Sequence, residues 1–240
     1  MSSEKGKLYL LPTPIGDNDV FESIPLYNKT IIDTIRLFVV EEIRTARRFL
    51  RKINHNFPVD DCQFYVLNEH TSQNMDLNPV LQPVMDGENM GLLSEAGLPC
   101  IADPGNELVA LAQQKDIAVV PLVGPSSITL TLMASGLCGQ NFAFHGYLPT
   151  DKTALCHKIR KLEQHSSSQQ QTQLFIETPY RNNSLFEMLL KECKPNTYLC
   201  VACNISQKDE YIKTKTIAQW RKNPPPALHK KPSVFAVLAN

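Results

Sequence analysis

No apolar run in the chain approaches the roughly 20 residues needed to cross a bilayer. The apolar stretch within MSSEKGKLYLLP is also too short for a secretory signal. Neither sign of charge dominates, since 24 basic residues balance 24 acidic ones. A polyanionic partner would therefore have to meet a local basic patch, because the bulk charge offers no attraction. A disulfide framework is missing too: the seven cysteines are scattered and odd in number, which is the pattern of reduced thiols. These absences together predict a cytoplasmic protein. Cys200 and Cys203 form a C-x-x-C, but they lie in the strand-like run YLCVACNI, where residues three apart point to opposite faces. No metal site is expected there. The chain shows no internal repeat, and 42% hydrophobic residues over 240 positions are ample for one large or two modest globular domains.

What is present is organised around residues 90–136. The apolar run MGLLS ends in the turn Glu95-Ala96-Gly97-Leu98-Pro99. A second turn, Ala102-Asp103-Pro104-Gly105, leads into a helical pattern with Leu108, Val109, Leu111 and Ala112 on one face. A Val- and Ile-rich run over 117–123 follows, then Gly124-Pro125-Ser126-Ser127 and another apolar helical pattern. Strand, turn, helix, repeated, is the signature of a parallel α/β sheet, and such sheets bind ligands in the loops after strand C-termini. Near the N-terminus the strand 8–11 runs into Pro12-Thr13-Pro14-Ile15-Gly16-Asp17, a third rigid loop of the same kind. One such loop is only a well-made turn. Three in series point to a small-molecule site.

Periodicity predicts further helices over 27–35, 43–53, 76–85 and 152–163 and one ending near Cys193, with strands over 37–40, 64–67, 142–145 and 174–177. The tract QHSSSQQQTQ, polar and low in complexity, is expected as a surface loop, and Pro224-Pro225-Pro226 excludes regular structure. Strands over 198–203, 210–214 and 234–238 follow one another without intervening helices, as in an antiparallel sheet. The expected architecture is α/β: a mostly parallel N-terminal domain over 1–121 and a mixed α/β domain over 122–240, with a cleft between them.

The helix over 43–53 is two-faced. Ile43, Ala46, Phe49, Leu50 and Ile53 fall on one side, while Arg44, Arg47, Arg48 and Arg51 recur at steps of three and four on the other. Four arginines so spaced repel one another unless something anionic lies across them, and their forked donors suit nucleic-acid phosphates. The alternative is a solvated face partnered by Glu41, Glu42 and water. Glu69-His70, just after a strand, could be acid/base machinery or a satisfied turn.

Seven motifs stand in one order: LYLLPTPIGD, VVEEIR, LNEHTS, LLSEAGLPCIADPG, PLVGPSS, FAFHGYLP and LFIETPYR. Together, over roughly residues 7–215, they resemble the tetrapyrrole methylase superfamily of S-adenosylmethionine-dependent methyltransferases. Within it the chain is most similar to the bacterial branch that methylates a cytidine ribose 2′-hydroxyl of small-subunit ribosomal RNA. The resemblance implies a homodimer of two-domain subunits with S-adenosyl-L-methionine in the cleft between domains, needing no metal. It implies cofactor contacts at Pro14, Ile15, Ser94, Glu95, Gly97, Ser126, Ser127, Phe175 and Ile176. Glu69, His70 and Glu177 are the candidates to accept or orient the acceptor's proton. Arg44, Arg47, Arg48, Arg51 and Arg181 are the candidates to hold ribosomal RNA or the small ribosomal subunit. The chain departs from the branch where Asn204-Ile205-Ser206-Gln207 stands near an expected Glu-Leu-Thr-Lys, and it ends without the extra C-terminal segment of many relatives. Two other readings stay open: methylation of a tetrapyrrole carbon, and a non-catalytic RNA- or cofactor-binding relative.

Overall fold

A computed structural model describes residues 4–68 and 76–239, and divides the chain into two compact units, Met1–Ser126 and Ser127–Asn240. The first unit holds five parallel strands in the order β3-β2-β4-β1-β5: β1 (Lys7–Leu11), β2 (Leu37–Val40), β3 (Gln63–Val66), β4 (Met90–Leu93) and β5 (Ala118–Pro121). In β2, LFVV, and β4, MGLL, every residue is buried, as a strand covered on both faces requires. Alternation along β2 sorts the side chains. Phe38 and Val40 join a core with Ala46, Phe49, Leu50 and Ile53 of α2 (Ile43–Ile53) and Ile32 of α1 (Leu26–Ile32). Leu37 and Val39 join another with Val80, Leu81 and Val84 of α3 (Asn78–Met85) and Leu108 and Ala112 of α4 (Asn106–Gln114). The sheet is thus the middle layer of three, and parallel strands deliver their following loops to one edge. Gly91 lets β4 sit at the centre of this packing: a Cβ there would lie 2.5 Å from Leu11 Cδ1.

The second unit has a mixed sheet in the order β6-β7-β10-β8-β9, comprising β6 (Phe142–Tyr147), β7 (Thr172–Glu177), β8 (Tyr198–Cys203), β9 (Tyr211–Thr216) and β10 (Ser233–Leu238). Only β6 and β7 pair in parallel. Ile128 of α5 (Ser127–Ser135) packs on one face with Leu174, Cys200 and Val234. The other face carries α6 (Lys152–Gln169), α7 (Asn182–Glu192) and α8 (Ile217–Trp220), and Cys203 belongs to that core. Cys200 and Cys203 therefore occupy opposite faces of the sheet, as strand alternation dictates.

Two expectations need correcting. The serine- and glutamine-rich tract is not a loop up to residue 169; it forms the last turns of α6. It contains no Pro or Gly to stop a helix, and Ser166 is fully buried, its Oγ accepting from Ala239 N at 2.9 Å. Tertiary anchoring overrides the low intrinsic propensity of such residues, and the left-handed Gln170 ends the helix. The antiparallel strands are also not free of helix, since α8 intervenes between β9 and β10. It opens with a capping box at Thr216 and Gln219 and buries Trp220. No helix of the described residues is long and apolar enough to cross a membrane.

Trp220, the only tryptophan, is 1% exposed, donates Nε1–H to Leu199 O at 2.9 Å and meets Phe186 edge-on. Trp220→Phe removes that hydrogen bond and shrinks the core, so it is expected to cost about 2–3 kcal/mol in urea unfolding followed by circular dichroism.

Candidate functional site

The loops after β1, β4 and β5 meet at the C-terminal edge of the parallel sheet, and glycines are the points of contact. Thr13 N donates to Gly97 O at 3.0 Å and Gly97 N returns a bond to Thr13 O at 3.1 Å, an isolated bridge between the first two loops. Gly97 has φ +87°, and a Cβ there would stand 3.2 Å from Ile15 Cγ2 and 3.4 Å from Pro125 O. At Gly124 a Cβ would fall 2.2 Å from Pro12 Cβ, so the third loop lies directly on the first. Buried Asn28 on α1 ties this third loop down by donating to Val123 O at 2.8 Å.

Inside the clamp, Thr13 is 4% and Ser94 3% exposed, and neither hydroxyl has a hydrogen-bond partner among the described residues. Two buried, unsatisfied hydroxyls at one edge cost free energy unless a polar ligand completes them. They line a cavity of about 190 Å³ with Pro14, Glu95, Arg48 and Lys52. Glu95 is fastened to α2 by Thr45 Oγ1, which donates to its Oε1 at 2.7 Å. Asp103, further along the loop after β4, is a strongly perturbed carboxyl. Burial first, then the nearby charges of Glu41 and Glu95, push its pKa up to about 6, against a contrary effect of the Ser94 hydroxyl. Ser94 Oγ thus faces the carboxylate without the geometry of a hydrogen bond. Burial and Asp103 together raise the Cys100 thiol to about 11, which makes it inert as a nucleophile.

Arg44, Arg47, Arg48 and Arg51 share one concavity of about 690 Å³ with Lys52. Arg47 is engaged, pairing with Asp60 and lying over Phe64. Arg44, Arg48 and Arg51 are exposed and form no ion pair among the described residues. Glu42 does not neutralise them by pairing. Its carboxylate caps α2 by accepting from the Arg44 and Thr45 amides, both at 2.9 Å, and these bonds hold its pKa below the ordinary carboxylate value.

In the second unit Glu177 ends β7 with its side chain 1% exposed, ion-paired to Arg181 at 2.7 Å and accepting from Thr178 N at 2.6 Å. The sequence suggested separate roles for the two residues, yet they stand as a pair, each charge set against the other. Phe175 is fully buried against Phe235, so only its backbone could meet a ligand. That backbone faces an irregularity: between Phe144 and Tyr147, β6 carries one residue more than β7 does between Leu174 and Ile176. Ile176 packs toward the opposite face, beside the Ile128 core. Ser126 and Ser127 straddle the boundary between the two units. Glu69 and His70 lie outside the described residues. The divergent turn at Asn204 is built on left-handed Asn204 and Ser206, with Asn204 Nδ2 donating to Asp209, which also pairs with Lys231. Sequence reasoning passed over Thr13 and Asp103 as site residues. The signal for Asp103 was its place in a D-P-G turn after a strand; Thr13 carried none beyond its loop.

A family model, Tetrapyrrole (Corrin/Porphyrin) Methylases, matches residues 7–220. The chain is 28% identical over 221 residues to ribosomal RNA small subunit methyltransferase I of Pasteurella multocida, covering 92% of this chain and 74% of that protein. It is 31% identical over 183 residues to the protein of that name from Vibrio cholerae, covering 76% and 59% respectively. Among solved structures it resembles the methyltransferase CobJ, with a TM-score of 0.61 at 14% identity over 98% of this chain and 94% of that one.

Raising a carboxyl pKa from 3.8 to about 6 means the native state favours the protonated form of Asp103. Its contribution to stability is complete below pH 3.8 and is lost as the pH rises through about 6. Asp33 and Asp209 are shifted the other way, so the test is a difference between proteins. The thermal midpoint of the parent relative to Asp103→Asn is expected to fall between pH 4 and pH 7; a constant difference would contradict this.

Proposed function

We propose, since the chain belongs to the tetrapyrrole methylase family, that it transfers a methyl group from S-adenosyl-L-methionine to a ribose 2′-hydroxyl of small-subunit ribosomal RNA. The observation that carries the reading is the three-loop clamp with two buried hydroxyls, Thr13 Oγ1 and Ser94 Oγ, without hydrogen-bond partners among the described residues. Such a cradle fits a polar nucleoside, and Gly97 and Gly124 spare it the Cβ atoms that would crowd its loops. The curated relatives named above favour RNA over a macrocycle as substrate, whereas the likeness to CobJ concerns the fold alone.

When bound, the cofactor supplies an electrophilic methyl on a sulfonium. Pro14, Ile15, Ser94, Glu95, Gly97 and Ser126 would hold it from the first unit, and Ser127, Ile176 and the Phe175 backbone from the second. The two domains would thus complete one cofactor cleft. Much of the rate in such a displacement comes from placing the acceptor oxygen about 3 Å from the methyl. Glu69, His70 and Glu177 would orient that acceptor, Glu177 by steadying Arg181. Arg44, Arg47, Arg48, Arg51 and Arg181 would meet phosphates. Assembly as a cytoplasmic homodimer belongs to the same proposal.

Calorimetry with S-adenosylmethionine is expected to show one site per chain. Thr13→Val and Ser94→Ala should each weaken it about five- to tenfold, the worth of one hydrogen bond. No detectable binding by the parent would overturn the reading. Replacing Arg44, Arg48 and Arg51 by Ala should weaken binding to unmethylated small subunits and flatten its salt dependence by roughly one unit of log–log slope per lost phosphate contact. An unchanged slope would remove this face from RNA binding.

A further inference from the structure

We infer that Asp103 takes the proton released by the acceptor hydroxyl, from the wall of a second cavity at the strand-end edge of the parallel sheet. The inference rests on the methyl-transfer reading above and adds to it a base that the motifs did not single out. The cavity, about 260 Å³, is lined by Leu67 just beyond β3 and by Ala102, Asp103, Pro104, Gly105 and Glu107. It lies on the loop after β4, the same loop that contributes Ser94, Glu95 and Gly97 to the clamp.

The backbone around Asp103 is held in a costly shape. Cys100 has φ +65°, Ala102 φ +57° and Gly105 φ +114°, which makes three left-handed residues in six. Each non-glycine residue there costs on the order of 1 kcal/mol, an expense that merely joining a strand to a helix does not require. Strain of this kind holds a side chain where the chain would not otherwise put it.

No lysine or arginine pairs with Asp103 among the described residues. The charged groups around it are all acidic: Glu41 beyond β2, Glu95 in its own loop, and Glu107 in the first turn of α4. Ser94 Oγ, 3% exposed, is the polar atom turned toward it, and Cys100 beside it stays a thiol. The other carboxylates of the region are committed, Glu42 to the α2 amides and Glu95 to Thr45. In the second unit, Glu177 is neutralised by Arg181. A carboxylate titrating near 6 is a better proton acceptor than one at 3.8, yet it is still ionised at neutral pH.

The atoms balance without a further reactant. The acceptor oxygen gives its proton to Asp103 Oδ and gains a bond to the methyl carbon. The carbon–sulfur bond breaks with its electron pair left on sulfur, and the proton later passes to water.

The test uses the full chain, labelled S-adenosylmethionine and small ribosomal subunits lacking the modification. Parent turnover should rise with pH through about 6 and level off above it. Asp103→Asn should lose roughly 100-fold or more in kcat together with that rising limb, while Asp103→Glu keeps both in part. Cofactor affinity by calorimetry should stay within twofold in both variants. In the cofactor-free parent, the Asp103 side-chain carboxyl carbon followed by NMR should titrate near 6. Full activity in Asp103→Asn, or a titration near 4, would overturn the inference and leave methyl transfer standing. Loss of cofactor affinity along with activity would also overturn it, by making Asp103 a ligand of the cofactor. A parent that binds the cofactor yet methylates nothing on the subunit would sink the methyl-transfer reading itself, and this inference with it.

Discussion

The reciprocal backbone bond between Thr13 and Gly97 is the constraint on which the candidate site depends. Parallel strands only bring their loops to a common edge; they do not make those loops touch. The bridge fixes the loop after β1 to the loop after β4. Gly97 supplies the positive φ the turn needs with Ile15 and Pro125 close by, and Gly124 lets Pro12 approach closer than a side chain would allow. The same close approach encloses Thr13 and Ser94 so fully that their hydroxyls find no hydrogen-bond partner among the described residues. Local stability is given up at the point where a ligand would restore it.

Charge tells a second story. A chain of zero net charge nonetheless segregates its charges within one unit. Arg44, Arg48 and Arg51 stand exposed along α2, while Glu41, Glu95 and Asp103 gather near the ends of β2 and β4. Helix periodicity puts the cations on one side, and the parallel topology puts the carboxylates together. The two regions meet at Thr45, whose hydroxyl on α2 holds Glu95. A basic surface suited to phosphate thus borders an acidic edge suited to handling a proton.

The second unit contributes stability more visibly than chemistry. Its sheet has a core on each face, Trp220 and Phe235 anchor one side, and Glu177 is tied to Arg181. The irregularity opposite Phe175 interrupts a sheet that is otherwise regularly paired.

Much of the architecture was legible in the sequence. The apolar runs of β2 and β4 announced strands buried on both sides, the 43–53 periodicity announced α2 with its arginine face, and the Gly- and Pro-rich turns announced the three loops. These are local properties, set by backbone period and by which residues tolerate a turn. The tail of α6 was not legible, because Ser166 is held by Ala239, 73 residues away. Nor was the elevation of Asp103, which arises from burial and from carboxylates on other strand ends. The sequence alone determined which residue types stand at each strand end. Only the tertiary structure decided which of them are buried, paired or left unsatisfied, because burial and field depend on neighbours that are distant along the chain.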